Sequence, residues 1–116
     1  MMIHPPTYED GMFDLYRIKS DTSVDYPEET LENQNMSICY REISVFDRTR
    51  YEFDQGGIEI TMKIRIPQYK QIDSKCVFMI DEVQHLVYNA AHVRDKNGFP
   101  ETELTLIRPG RELTII

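Results

Sequence analysis

Ile58-Glu59-Ile60-Thr61-Met62-Lys63-Ile64-Arg65-Ile66 alternates apolar and polar residues without a break. A period of two is the signature of a strand with one face buried and one wet. It predicts Ile58, Ile60, Met62, Ile64 and Ile66 in the core and Glu59, Thr61, Lys63 and Arg65 outside. Gly56-Gly57 supplies a flexible entry to this strand. Pro67 ends it, because proline has no N–H to donate to a ladder.

Further strands follow on either side. Met12 to Lys19 alternates loosely and runs into the polar turn Ser20-Asp21-Thr22-Ser23. Met36 to Ile43 carries Ile38, Tyr40 and Ile43, with Arg41-Glu42 blurring the period. Cys76 to Ile80 is a continuous apolar run, as in a strand covered on both faces. Asp81-Glu82-Val83-Gln84 has the length of a hairpin connection to a strand over Leu86 to Val93. Asp95-Lys96-Asn97-Gly98 signals a second hairpin, with Glu101 to Ile107 as the returning strand. Pro27-Glu28-Glu29 reads as an acidic helix start, so Tyr26 to Asn35 is expected as one short helix. The fold class is therefore mainly β: a small antiparallel barrel or sandwich of about six strands, one short helix, and a long loop between the second and third strands.

The chain of 116 residues suits one domain, 1–116, with residues 1–11 as a flexible N-terminal arm. Its longest apolar run is five residues, too short to span a bilayer, and no secretory signal is visible. Two cysteines, Cys39 and Cys76, are too few for a disulfide scaffold or a structural zinc site, and a cytosolic chain with reduced thiols is expected. The net charge is −7 and is unevenly placed. Residues 1–57 hold five basic and twelve acidic side chains, whereas residues 58–116 hold eight of each. Such a chain repels a nucleic-acid backbone, yet it suits a wall that DNA passes without adhering.

Chemistry-bearing constellations are sparse. Gly56-Gly57 lacks the residues that complete a phosphate loop. Asp81, His85 and His92 suggest a metal set, but seven residues of strand separate the histidines by about 23 Å and put them on opposite faces. Cys39 and Cys76 sit in apolar strands, where a thiol packs as a small hydrophobe. The cluster Asp21, Asp25, Glu28, Glu29 and Glu32 does not follow a calcium-loop spacing and reads as a solvated face. Asp81 and Glu82 are neighbours that point apart, leaving no shared substrate position. The expectation is a protein that is not an enzyme, with no catalytic residues, metal or cofactor.

The long excursion Ser44 to Gln55 stands out. It gathers Phe46, Tyr51 and Phe53 with Arg48 and Arg50, the residue types enriched at protein interfaces. A loop of about a dozen residues in a small domain is more often functional than accidental. The alternative is a satellite cluster tucked under the sheet.

Taken in order, the first strand, the polar turn and the strand leading into the Ser44-rooted loop precede Thr61-Met62-Lys63-Ile64-Arg65-Ile66-Pro67. A spacer with Ile72, then Val77-Phe78-Met79-Ile80, Leu86-Val87-Tyr88-Asn89-Ala90-Ala91 and Glu103-Leu104-Thr105-Leu106 complete the series. This arrangement resembles the head closure proteins of tailed bacteriophages, the head–tail connector, stopper or minor capsid proteins, over roughly Met12 to Ile107. The turns at Ser20–Ser23 and Asp81–Gln84 depart from that family in lacking glycine. The resemblance implies a β-barrel that assembles with itself into a ring in the virion, put together in the host bacterial cytoplasm. The ring would meet a portal or adaptor protein on one side and a tail protein on the other. It would close the channel after packaging, letting DNA pass without specific binding, with no membrane role. Carried over, the channel or partner loop is Ser44 to Gly57, with Phe46, Arg48, Arg50, Tyr51 and Phe53. An adaptor or tail-terminator ring protein, and a free-standing acidic β-barrel binding or inhibitor module, are the alternatives.

Overall fold

The structure, a computed structural model, describes residues 6–21, 28–44, 56–110 and 113–115. The described residues form seven strands: β1 (Gly11–Asp21), β2 (Glu28–Ile43), β3 (Ile60–Pro67), β4 (Cys76–Ile80), β5 (Val83–Arg94), β6 (Pro100–Ile107) and β7 (Thr114–Ile115). They lie in the order β1-β4-β5-β6-β3-β2-β7, and β1 also pairs with β2. Six strands thus close into a ring, and β7 adds to it. The expected mainly β class holds, and the sheet closes on itself.

The alternation at Met62, Ile64 and Ile66 carries through. Ile64 and Ile66 are fully buried and Met62 packs against the core. A β-bulge at Thr61, the extra residue opposite the step from Ile107 to Leu106, interrupts the register at the start of β3. Ile60 consequently faces Ile107 and is buried outside the main cluster rather than within it. A second bulge at Tyr88 stands across β6, between the pairs Val87–Leu106 and Asn89–Thr105.

The main cluster draws Phe13 and Leu15 from β1, Tyr40 from β2, Cys76, Phe78 and Ile80 from β4, Val87 from β5, and Leu104 and Leu106 from β6. Phe13 stacks on Phe78 with ring centroids 3.8 Å apart. Tyr40 continues the stack from Phe13 at 6.2 Å and lies over Gly11, where any Cβ would overlap its ring. Ile72 plugs the cluster from the β3–β4 connection, which is tied to β1 through an Arg17–Asp73 ion pair and a bond from Arg17 to the Gln71 carbonyl.

The expected helix over Tyr26–Asn35 is not there. Within the described residues, Glu28 to Asn33 pair with Asp21 to Tyr16 and continue directly into β2. Leu31 is the only large aliphatic side chain between Tyr26 and Asn35, so a helix would have no apolar stripe to bury. As a strand residue Leu31 lies opposite Ile18 and Ile115 and is fully buried. Asn35, at φ 55°, marks the irregularity where β2 slips register against β1. Beyond its last pair with β4 at Arg17, β1 continues with β2 for four more pairs, an extension of about 13 Å in which Ile18 N–H also bonds the Lys75 carbonyl. At its other end β2 leaves β1 and joins β3 through Arg41, Glu42 and Ile43.

The turns are specific. Asp81 and Glu82 form a two-residue connection with φ of 50° and 65°, the pair of positive angles that a type I′ hairpin requires. At the β5–β6 hairpin the Asp95 carboxylate accepts from the Asn97 and Phe99 N–H groups, and only Gly98, at φ 86°, takes a positive angle.

Two stability outcomes follow from this packing. Ile64→Ala should lower unfolding free energy by about 2–5 kcal/mol in urea denaturation, and Lys63→Ala, on the outer face, by no more than about 1 kcal/mol. The reverse ranking would invert the face assignment of β3. Replacing Asp81-Glu82 by Asn-Gly should raise stability by about 1 kcal/mol, since two side-chain-bearing residues now hold left-handed angles.

Candidate functional site

The residues expected to form the partner or channel loop, Phe46, Arg48, Arg50, Tyr51 and Phe53, lie outside the described residues. Its feet are placed. Ser44 is exposed just past the β2–β3 seam, where Asp10, Glu42 and Ile43 join it around a shallow cavity of about 430 Å³. Gly57, at φ 78°, turns the chain into β3. The loop therefore springs from one end of the ring, between two antiparallel neighbours.

On the outer face of β2, β3 and β6 stands a charged row. Glu101 is fully buried, and its carboxylate accepts from Arg41 Nη2 at 2.6 Å and Nε at 3.1 Å. Arg65 reaches Glu101 at 3.4 Å and donates to Glu103 at 3.0 and 3.1 Å; Lys63 lies 3.7 Å from Glu103. Tyr8, from the stretch expected as an arm, donates its hydroxyl to Glu101 at 2.9 Å. Burial pulls the Glu101 carboxyl upward, but the hydrogen bonds from Arg41 and Tyr8 and the two guanidinium charges outweigh it and hold its pKa low. Burial, then the Glu101 bond and charge, push the Tyr8 hydroxyl up to about 12. Arg41 and Arg65 are direct cross-strand partners, a repulsive pairing that the buried carboxylate between them reverses. The row spends its hydrogen-bonding capacity on itself, which makes it a structural clasp.

The other sequence candidates separate. His85 Nδ1 is hydrogen-bonded to the Thr61 hydroxyl at 2.8 Å, and that hydroxyl also lies 3.2 Å from the Leu106 carbonyl. Burial and then Arg108 lower the His85 pKa. His92 instead meets Thr102 at 3.1 Å. Among the described residues no three His, Cys, Asp or Glu side chains come together as metal ligands. Cys76 is buried, which raises its pKa, and its Sγ contacts Asp73. Cys39 is exposed, not packed in the core as expected: it is on the outward face of β2 opposite Met12, itself 58% exposed. Asp81 and Glu82 are exposed at a hairpin tip. Glu29 and Glu32 are exposed on β2, as a solvated face requires.

Sequence reasoning missed Tyr8, Arg41 and Glu101 as a unit. A signal was present: Lys63 and Arg65 on one predicted strand match Glu101 and Glu103 on another with the same period of two. It missed Gln84 too, a buried amide bonded to Leu113 that carries no local sequence mark.

Compared with models of known protein families and with curated proteins, the chain matches none.

The clasp gives a pH-dependent outcome. Because the Glu101 pKa is lowered on folding, its contribution is complete above the ordinary value of 4.5 and is lost as pH falls through the lower folded value. Glu101→Gln should cost about 3 kcal/mol at pH 7, leaving two apposed arginines. The gap to the unchanged protein should narrow steadily below pH 4.5 in acid titrations of thermal stability; a gap independent of pH would contradict the ionised clasp.

Proposed function

We propose that this chain is a virion structural protein of the tailed-phage head–tail connector, a head-closure subunit that acts by assembly and not by catalysis. The observation that carries the reading is the placement of its acidic excess. Exposed Asp10, Asp14, Glu29, Glu32 and Glu42 all lie on or beside the β1–β2 hairpin. A surface of this kind repels a phosphate backbone, as a channel component must. The closed sheet supplies a rigid support, and the loop between β2 and β3 leaves from one end of it, a position suited to a partner or a channel. In this reading copies join side by side beneath the portal, and the tail docks on the opposite face. The adaptor and terminator positions use the same ring logic.

The reading is tested by replacing Phe46 to Phe53 with a glycine linker. The isolated protein should keep its thermal midpoint, while heads and tails fail to join, giving leaking heads and free tails under electron microscopy. Light scattering should show the unchanged protein forming a ring at high concentration. A permanently monomeric protein would favour the free-standing binding module, and infectious particles carrying the replaced loop would remove the channel role.

A further inference from the structure

Gln84 is only 8% exposed, and its side-chain amide grips one residue from the far end of the chain. Its Nε2 donates to the Leu113 carbonyl at 2.7 Å and its Oε1 accepts from the Leu113 N–H at 2.9 Å. Paired bonds of this kind imitate a strand partner and recognise main chain, not a particular side chain. Immediately after, Thr114 and Ile115 pair in parallel with Thr30 and Leu31 of β2. Asp14, Tyr16, Met79 and Glu82 complete a groove of about 420 Å³ beside Leu113 and Ile115.

The acceptor and its occupant are unequal. Gln84 and Leu31 are buried and demand a covering segment, because an uncovered Gln84 amide would lose both bonds. The segment itself is lightly held: two ladder residues, Thr114 exposed and Ile115 49% exposed. Arg108 still donates its N–H to the Glu59 carbonyl, and Pro109, which has no N–H, ends the pairing there, so the connection leaves the sheet only after Arg108. Six chain steps from Ile107 to Leu113 reach about 20 Å, enough to arrive at an adjacent molecule. An identical segment from a second copy would remake every bond, which is the low-cost route to exchange.

We propose that residues 113–115 are exchanged between copies, each seating in the Gln84 and β2 acceptor of its neighbour and linking the subunits of the assembly. This rests on the reading of the chain as a ring-forming connector subunit.

The test uses the full chain with Thr30→Cys and Thr114→Cys in a Cys39→Ser background, since ladder partners are within disulfide reach. Oxidation of dilute monomer fastens the tail to its own acceptor. Under light scattering the reduced protein should assemble, the fastened protein should stay monomeric, and reductant should restore assembly. Mixed chains carrying one substitution each should yield a cross-linked dimer on non-reducing gels. Assembly of the fastened protein to the same extent as the reduced one would overturn the exchange and leave the connector reading standing. So would mixed chains that never cross-link while the double variant links within itself. A reduced protein that stays monomeric at every concentration would overturn both.

Discussion

One carboxylate holds this ring shut. The β2–β3 seam consists of three residue pairs, against seven between β3 and β6. Among those three, Arg41 faces Arg65, which by itself would push the strands apart. Glu101 reaches over β3 from β6, binding Arg41 at 2.6 Å and Arg65 at 3.4 Å, so two strands that share few backbone bonds are joined through a third. Tyr8 caps the same carboxylate, and Asp10 accepts from the Glu42 N–H, so the N-terminal stretch depends on the clasp as well. A charge buried in this way stabilises only while both arginines are present, which makes the seam specific as much as strong.

What the sequence made legible was local and periodic. Lys63 and Arg65 outward with Met62, Ile64 and Ile66 inward could be read because one short window carries both faces. Cys76 to Ile80 read as doubly covered, and its side chains are buried except for Met79, which is half-buried. Tyr26 to Asn35 failed because its only large aliphatic side chain, Leu31, gains its burial from Ile18 and Ile115, residues far away in the chain. Cys39 failed differently. Its neighbours Ile38 and Tyr40 are apolar and turn inward, while alternation itself sends Cys39 out beside Met12. The clasp joins positions 8, 41, 65 and 101, and no window includes them; only the matched charge patterns of β3 and β6 hinted at it.

Closing a sheet removes most of its hydrogen-bonding edges, and the segments left open are where another chain can add. Among the described residues, no strand pairs with the second edge of β2 between Glu32 and Tyr40. That edge is broken by the irregularity at Asn35 and carries exposed Glu32, both of which discourage casual strand addition. Thr30 and Leu31, just before it, are covered by β7. The fold thus interrupts the long edge of β2 and covers the short stretch before it with β7, beside an amide that reads backbone.

That arrangement connects the sheet to its proposed use. A subunit that must join copies of itself beside DNA needs contacts that do not rely on net attraction, because every copy brings the same acidic hairpin. Main-chain recognition by Gln84 and β2 carries no net charge, so it works between like-charged molecules where ion pairs across the interface would be scarce. Three basic side chains that could have balanced the acid, the half-buried Arg41, Arg65 and Lys63, are instead paired with Glu101 and Glu103. Closure of the ring and the acidity of the β1–β2 hairpin are therefore linked: the cations that fasten the seam are already neutralised by Glu101 and Glu103 and do not offset the hairpin's carboxylates.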